Sequence, residues 1–253
     1  MIRLLVGYIL TAAIRDRLFL SLMLLVVVGV CLSVFLGSSA ITEKDQFSMV
    51  FASGGLRIGG LLTLVLFTVF YVRRSFETHD VEYLLSRPMS RLQFLMAHFI
   101  SLLVLSALMA SVMTVVLLLM PSQATAFSCV MWGISIFIEM AIVANVALFF
   151  SLMLSSAVAA SLISLAFYVL SRLMGGILGI VMEGAGTSMT VILNKVMLAI
   201  SVFIPRLDLM GQTSWLVYGF DNMADLKLIV LQGSIFLGFV LSVAFWDLKR
   251  KQF

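Results

Sequence analysis

Charge is what this chain has least of. Only 11% of its 253 residues are Asp, Glu, Lys or Arg and 62% are apolar, whereas a soluble domain carries about a quarter charged residues and roughly half apolar ones. That excludes a soluble enzyme, a secreted disulfide scaffold and a disordered tail, none of which could keep so much uncharged sequence in water. Proline is scarce as well, with three residues against twenty Phe and seventeen Met. The spans are therefore expected to be helical, since a membrane barrel would alternate polar and apolar residues along short strands. The two cysteines, Cys31 and Cys129, fall inside apolar runs with no partner at ligand spacing, so they read as packing residues.

Several chemical motifs are also missing. There is no Gly-x-x-x-x-Gly-Lys-[Ser/Thr] loop; Gly184-Ala185-Gly186-Thr187 lacks the lysine, so the chain is expected to bind no ATP itself. There is no His-Glu-x-x-His, no Gly-x-Ser-x-Gly and no paired intramembrane Asp, which argues against metallo-, serine and aspartyl intramembrane proteases. No cofactor, metal or catalytic residue is expected. The net charge of +4 fits basic residues set against anionic lipid headgroups rather than nucleic acid. Gly37-Ser38-Ser39-Ala40 has the small residues of a signal-peptidase site, but the apolar stretch before it is too long for a signal peptide.

What is present is a series of uncharged runs. A helix needs about 20 apolar residues to cross about 30 Å of hydrocarbon. Spans are expected at about 18–42, 47–72, 94–120, 127–150, 156–180 and 227–246, giving one all-α membrane domain over 1–253. Glu43, Lys44 and Asp45 close the first span, and Pro121-Ser122-Gln123 separates the third from the fourth. Met140 to Ser171 carries no charge, which demands a tight turn near Ser151 to Ser156. Small residues four apart, at Gly55 and Gly59, Gly175 and Gly179, Ala157 and Ser161, and Ala160 and Ser164, read as helix packing. The abundant Met reads as gap filling.

Six spans put Arg3, Arg15, Arg17, Arg73, Arg74, Arg87, Arg91, Lys249, Arg250 and Lys251 on one side. That side is expected to be the cytoplasm, with both termini in it. Residues 1–17 stand apart from the first span. Arg3, Gly7, Thr11 and Arg15 make one polar stripe against Leu4, Leu5, Tyr8, Ile9 and Ala12, the pattern of a helix lying in the headgroup plane. Between Met182 and Lys227, Val191, Ile192, Val196, Ala199 and Val202 can share an apolar face before Pro205. A short helix on or in the outer leaflet is expected there, with Trp215 and Tyr218 as interface anchors.

Two ionisable residues lie inside spans. Glu139 falls about 18 Å into the fourth span from its outer end and Arg57 about 9 to 15 Å into the second. A lone charge at such depth costs at least a few kcal/mol, so the two are expected to pair. They either line or gate a translocation path or clamp two helices together. Asn145 is expected to bond a neighbouring helix, and His98 to sit at the inner interface.

The densest polar segment joins spans two and three, from Arg73 to Arg91. Phe76, Val81, Leu84 and Leu85 approximate one ridge, so Glu77 to Leu85 reads as a short amphipathic helix, stopped by the restriction Pro88 places on Arg87. Its charges would orient the protein in any case; they also offer a face to a cytosolic partner. Glu77 followed by Leu84-Leu85-Ser86-Arg87-Pro88-Met89-Ser90-Arg91 resembles the Glu-x-Gly-Thr-x-x-x-Leu-Leu-Ser-Arg-Pro-[Ile/Val]-Ser-Arg segment of type-2 ATP-binding-cassette (ABC) exporter permeases. The resemblance implies that this loop is a coupling helix docking on a cytosolic ATPase subunit dimer, with Glu77, His79, Asp80, Glu82, Tyr83, Leu84, Arg87 and Arg91 as the coupling residues. It further implies that the N-terminal helix is a connecting helix, and that a second permease copy or homologue completes a dimer in the bacterial inner membrane. ATP would be bound by the partner, and a hydrophobic or amphiphilic substrate exported. His79-Asp80 stand where the family has Gly-Thr, which makes His79 an expected specificity contact. Two other functions remain open: a proton-coupled secondary transporter using Glu139, and a metal-dependent lipid-modifying enzyme using His79, Asp80 and Glu82.

Overall fold

The computed structural model describes residues 2–38, 43–77, 90–120, 124–183, 204–220 and 223–250. Its long helices are α1 (Ile2–Arg15), α2 (Leu18–Ser38), α3 (Lys44–Glu77), α4 (Arg91–Leu119), α5 (Ala126–Met153) and α6 (Ala157–Glu183). A 3₁₀ turn (Leu207–Leu209), the five-residue α7 (Ser214–Tyr218) and α8 (Met223–Arg250) follow. No strand occurs among the described residues. Six helices, α2 to α6 and α8, are long and apolar enough to cross a membrane; this is the architecture of a multi-pass membrane protein. Most run past the apolar stretches that announce them. The 34 residues of α3 make a rod of about 51 Å, well beyond the hydrocarbon thickness.

Helix ends are set by identifiable residues. Ser90 caps α4 in a reciprocal capping box with Gln93, satisfying two otherwise orphaned backbone donors. Thr125 accepts from the Ser128 N–H to cap α5. Arg17, in the left-handed region at φ 59°, turns the chain from α1 into α2. At one end of the bundle, arginines satisfy carbonyls that finish other helices. Arg73 donates to Leu154 O at the end of α5 (3.1 Å), and Arg91 donates to Leu248 O and Lys249 O at the end of α8 (2.9 and 3.2 Å). Cations at helix C-termini also answer the helix dipole. Arg74 faces Asp16 at 3.4 Å, tying the α1–α2 turn to α3 at this same basic end.

The central helix is α5, packed by α3, α4, α6 and α8. Between helices already in lipid, close packing rather than water exclusion supplies the attraction, and small residues permit it. Gly60 of α3 receives Met113 of α4 and Met140 of α5; Gly133 of α5 receives Thr114 of α4; Gly233 of α8 receives Ile138 of α5. Of the small-residue pairs read from the sequence, Gly59 and Gly175 are close contacts, while Gly55 has nothing within 4 Å.

The first helix differs in detail from its expected face. Leu5, Ile9 and Ala13 are buried, whereas Leu4 is 79% exposed and Tyr8 faces outward. The buried stripe is thus one i, i+4, i+8 ridge laid mainly against α4. His98 is buried: its Nδ1 lies 3.0 Å from Phe94 O and its ring packs on Phe94 and Tyr71. Asn145 donates to Ala141 O of its own helix at 2.8 Å, and among the described residues it makes no hydrogen bond to a neighbouring helix.

Candidate functional site

The best-built polar constellation lies in mid-bundle on α3, α5 and α6. Trp132, Ser135, Ile136 and Glu139 share one face of α5 at helical spacing, and all are fully buried. Arg57 reaches them from α3, and Arg172 with Tyr168 from α6. Arg57 Nε lies 3.7 Å and Arg172 Nη1 4.0 Å from Glu139 Oε1. Tyr168, one turn before Arg172, interacts with both Glu139 and Arg57. The pair expected from depth alone is brought together, but as a triad: one carboxylate between two guanidiniums.

Arg172 is the partner that counting apolar runs passes over, because the uncharged stretch ends at Ser171 and the apolar pattern resumes at once. Its signal is the spacing Tyr168-x-x-x-Arg172, which sets a phenol and a guanidinium on one helical face.

An irregular segment, interrupted by the 3₁₀ turn and α7, caps the triad. Residues 204–220 fold back along α5, where Phe220 N donates to Ser128 Oγ at 3.1 Å and Gly211 N to Ser135 Oγ at 2.8 Å. Seven residues of α5 separate those acceptors, so Gly211 lies about 10 Å deeper than Phe220 along the helix axis. Irregular backbone at membrane depth is tolerated only when its polar groups are met by protein or cavity water. Here arginines meet them: Arg57 Nη1 donates to Gly211 O at 2.9 Å, and Arg172 Nη1 donates to Leu207 O and Met210 O. Leu207, Met210 and Leu216 are buried beneath the segment. Trp215, expected as an interface anchor, is 8% exposed and packs edge-on to Phe220 with ring centroids 4.9 Å apart. Tyr218 is 84% exposed.

Two glycines make this approach possible. Gly211 has φ +59°, and a Cβ there would stand 2.6 Å from Ile136 Cδ1 and 2.9 Å from Glu139 Oε2. Gly175 of α6 lies against Asp208, where any Cβ would collide with the carboxylate. Asp208 in turn accepts from Arg206 Nη2 at 3.0 Å.

The electrostatics are those of a latch. The Glu139 carboxylate faces two guanidiniums and the Tyr168 side chain. Its partners spend their donors on the carbonyls of the folded-back segment. Breaking either arginine's contacts would leave carbonyls of the segment without their donors, which couples the position of residues 207–211 to the packing of α3, α5 and α6. Among the described residues no three His, Cys, Asp or Glu side chains converge as a metal site would require.

The loop residues stand apart from this cluster. Glu77 is the exposed last residue of α3 and Arg91 the first of α4, both at the basic end. His79, Asp80, Glu82, Tyr83, Leu84 and Arg87 lie outside the described residues, as do the expected surface helix over 77–85, beyond its first residue, and the outer helix near 191–202.

No family model matches the chain, and no curated protein is significantly similar to it.

Proposed function

We propose that the chain is the membrane subunit of an ATP-driven exporter of the type-2 ABC permease kind, working with a separate cytosolic ATPase. The observation that carries this is the motif from Glu77 to Arg91, set between helix ends that are both tied to the rest of the bundle. On one flank Arg73 grips the end of α5; on the other Arg91 grips the end of α8. A short loop so anchored passes a rigid-body push from a docked partner into the central helix and the last one. Glu77, His79, Asp80, Glu82, Arg87 and Arg91 supply charge for docking, and Tyr83 and Leu84 supply packing.

In this account α1 is the interfacial connecting helix, the basic end faces the cytoplasm of a bacterial cell, and a second copy or homologue completes the permease. The Arg57–Glu139–Arg172 latch holds the folded-back outer segment closed, and movement of α5 against α3 and α6 releases it. The cargo is hydrophobic or amphiphilic. A proton-coupled transporter would need Glu139 to load and release a proton, and the two guanidiniums facing it count against that.

The test is purification of the tagged full-length chain from its own membrane in mild detergent. A protein with a Walker motif is expected to co-purify with it, and Arg87→Glu to lose that protein while the chain itself remains folded. Wild-type chain that purifies without any such subunit would refute the proposal.

A further inference from the structure

Two residues at helix starts make no capping bond with their side chains. Glu43 opens α3: its carbonyl accepts from Phe47 N–H at 3.0 Å, and at φ 55° it occupies the left-handed region that few non-glycine residues enter. Thr213 precedes α7 in helical conformation (φ −68°, ψ −22°), and its hydroxyl caps nothing, although a Thr at such a position ordinarily accepts from a backbone N–H. Both side chains line one cavity of about 390 Å³, together with Gln46, Phe47 and Val50 of α3 and Ser214, Val217 and Tyr218 of α7. It lies at the opposite end of α3 from Arg73 and Arg74. Its volume falls within the roughly 300–1,000 Å³ of small-molecule sites.

The lining decides what fits. None of the polar side chains of Glu43, Gln46, Thr213, Ser214 and Tyr218 makes a hydrogen bond or ion pair among the described residues. Ionised Glu43 can only accept, whereas the Gln46 amide and the three hydroxyls both donate and accept. Lys44 and Asp45, in the same turn of α3, do not line the cavity. An ammonium ligand, a donor only, would suit Glu43 but would displace water from the amide and hydroxyl donors without replacing its bonds. An anion, an acceptor only, would face the carboxylate. A polyol donates and accepts at every oxygen, so of the three it alone meets both kinds of group. The rest of the wall is apolar. The rings of Phe47 and Tyr218 are exposed, and aromatic faces are electron-rich, which suits the polarised C–H groups of a sugar ring. Val50 and Val217 continue that side.

We propose that this cavity binds a neutral glycoside, with its sugar hydroxyls on Glu43, Gln46, Thr213 and Ser214, its C–H face on Phe47 and Tyr218, and its apolar aglycone on Val50 and Val217. The site is independent of the Arg57–Glu139–Arg172 cluster and of the exporter proposal.

The experiment is saturation-transfer-difference NMR of the full-length chain in a polyoxyethylene detergent, titrated separately with phenyl glucoside, phenethylammonium and phenyl phosphate, which carry three different heads on the same ring. Methyl glucoside, which lacks the apolar body, is the fourth ligand. Phenyl glucoside is expected to saturate and to bind about tenfold tighter than either charged ligand, the scale of one or two net hydrogen bonds, and tighter than methyl glucoside. Glu43→Ala combined with Gln46→Ala should abolish the preference for the sugar head. Val50→Trp, which fills the cavity, should abolish saturable binding of every ligand, and Tyr218→Ala, at a residue 84% exposed, should weaken phenyl glucoside about fivefold. Circular dichroism and the unfolding temperature, unchanged in these variants, would separate loss of the site from loss of the fold. The proposal is overturned if phenyl glucoside does not saturate, if either charged ligand binds as tightly, or if its binding is unchanged in the variants. Equal binding of methyl and phenyl glucoside would overturn the assignment of the apolar wall to an aglycone.

Discussion

The Arg57 guanidinium donates at 2.9 Å to the carbonyl of Gly211, 154 positions further along the chain. The same side chain stands 3.7 Å from Glu139, so one arginine joins α3, α5 and the folded-back segment. Arg57→Ala removes the nearest cation from Glu139 and the donor from Gly211 at once. A loss of about 2 kcal/mol is expected, from the Gly211 carbonyl left without its donor and one of two charge contacts to Glu139 removed, measured as thermal unfolding in detergent. The double variant Arg57→Leu with Glu139→Leu should cost less than the sum of the singles. Additive costs would mean the two residues do not act as a pair.

Gly211→Ala tests the approach of the segment itself. The left-handed backbone and the crowding by Ile136 and Glu139 should together cost about 2 kcal/mol and lift residues 207–211 from the bundle. In a background where Cys31 and Cys129 are replaced, Met210→Cys should be protected from a membrane-impermeant maleimide, and Gly211→Ala should expose it. Unchanged protection would show that the segment is held elsewhere.

Glycines on the α2–α3 seam should differ in tolerance. The nearest atoms to a Cβ at Gly59 belong to the Leu25 side chain, which can rotate, whereas one at Gly37 stands 2.8 Å from Ser48 Cβ and 3.2 Å from Lys44 O. Gly59→Ala should therefore cost under about 1 kcal/mol and Gly37→Ala about 2 kcal/mol or more, since backbone must shift. Equal effects in a denaturation series would contradict the close contact at Gly37.

Much of the fold is legible from the sequence because the bilayer imposes so few solutions: uncharged runs of helical length can only be spans. Glu139 and Arg57 are legible for the same reason, as charges where charge is costly. Arg172 was equally visible in principle, but it sits at the seam between an uncharged run and its continuation, where run-counting stops. The grip of Arg57 and Arg172 on the carbonyls of Leu207, Met210 and Gly211 leaves no mark in the sequence, because every residue has a carbonyl. Trp215 misleads for a related reason: next to polar residues and a span, the indole looks like an anchor, yet the fold-back buries it. Of the coupling residues, only Glu77 and Arg91 fall among the described residues, and the docking role of the motif rests on its resemblance to the permease segment.

Arg91 links that loop to the last helix through the carbonyls of Leu248 and Lys249. Arg91→Ala should cost about 1 kcal/mol, the worth of a cation at a helix C-terminus, while lowering partner-coupled activity far more than stability. A loss of activity matched by a like loss of folded protein would reduce Arg91 to a structural cap.

The most direct test of the central claim is vanadate-sensitive ATP hydrolysis by the full-length chain purified with its associated subunits and reconstituted in lipid. The account predicts that wild type hydrolyses ATP, and that Glu77→Ala with Arg87→Glu abolishes the activity while the helical spectrum is retained. A wild-type preparation with no ATP hydrolysis, or one in which the doubly substituted loop hydrolyses ATP at the wild-type rate, would contradict it.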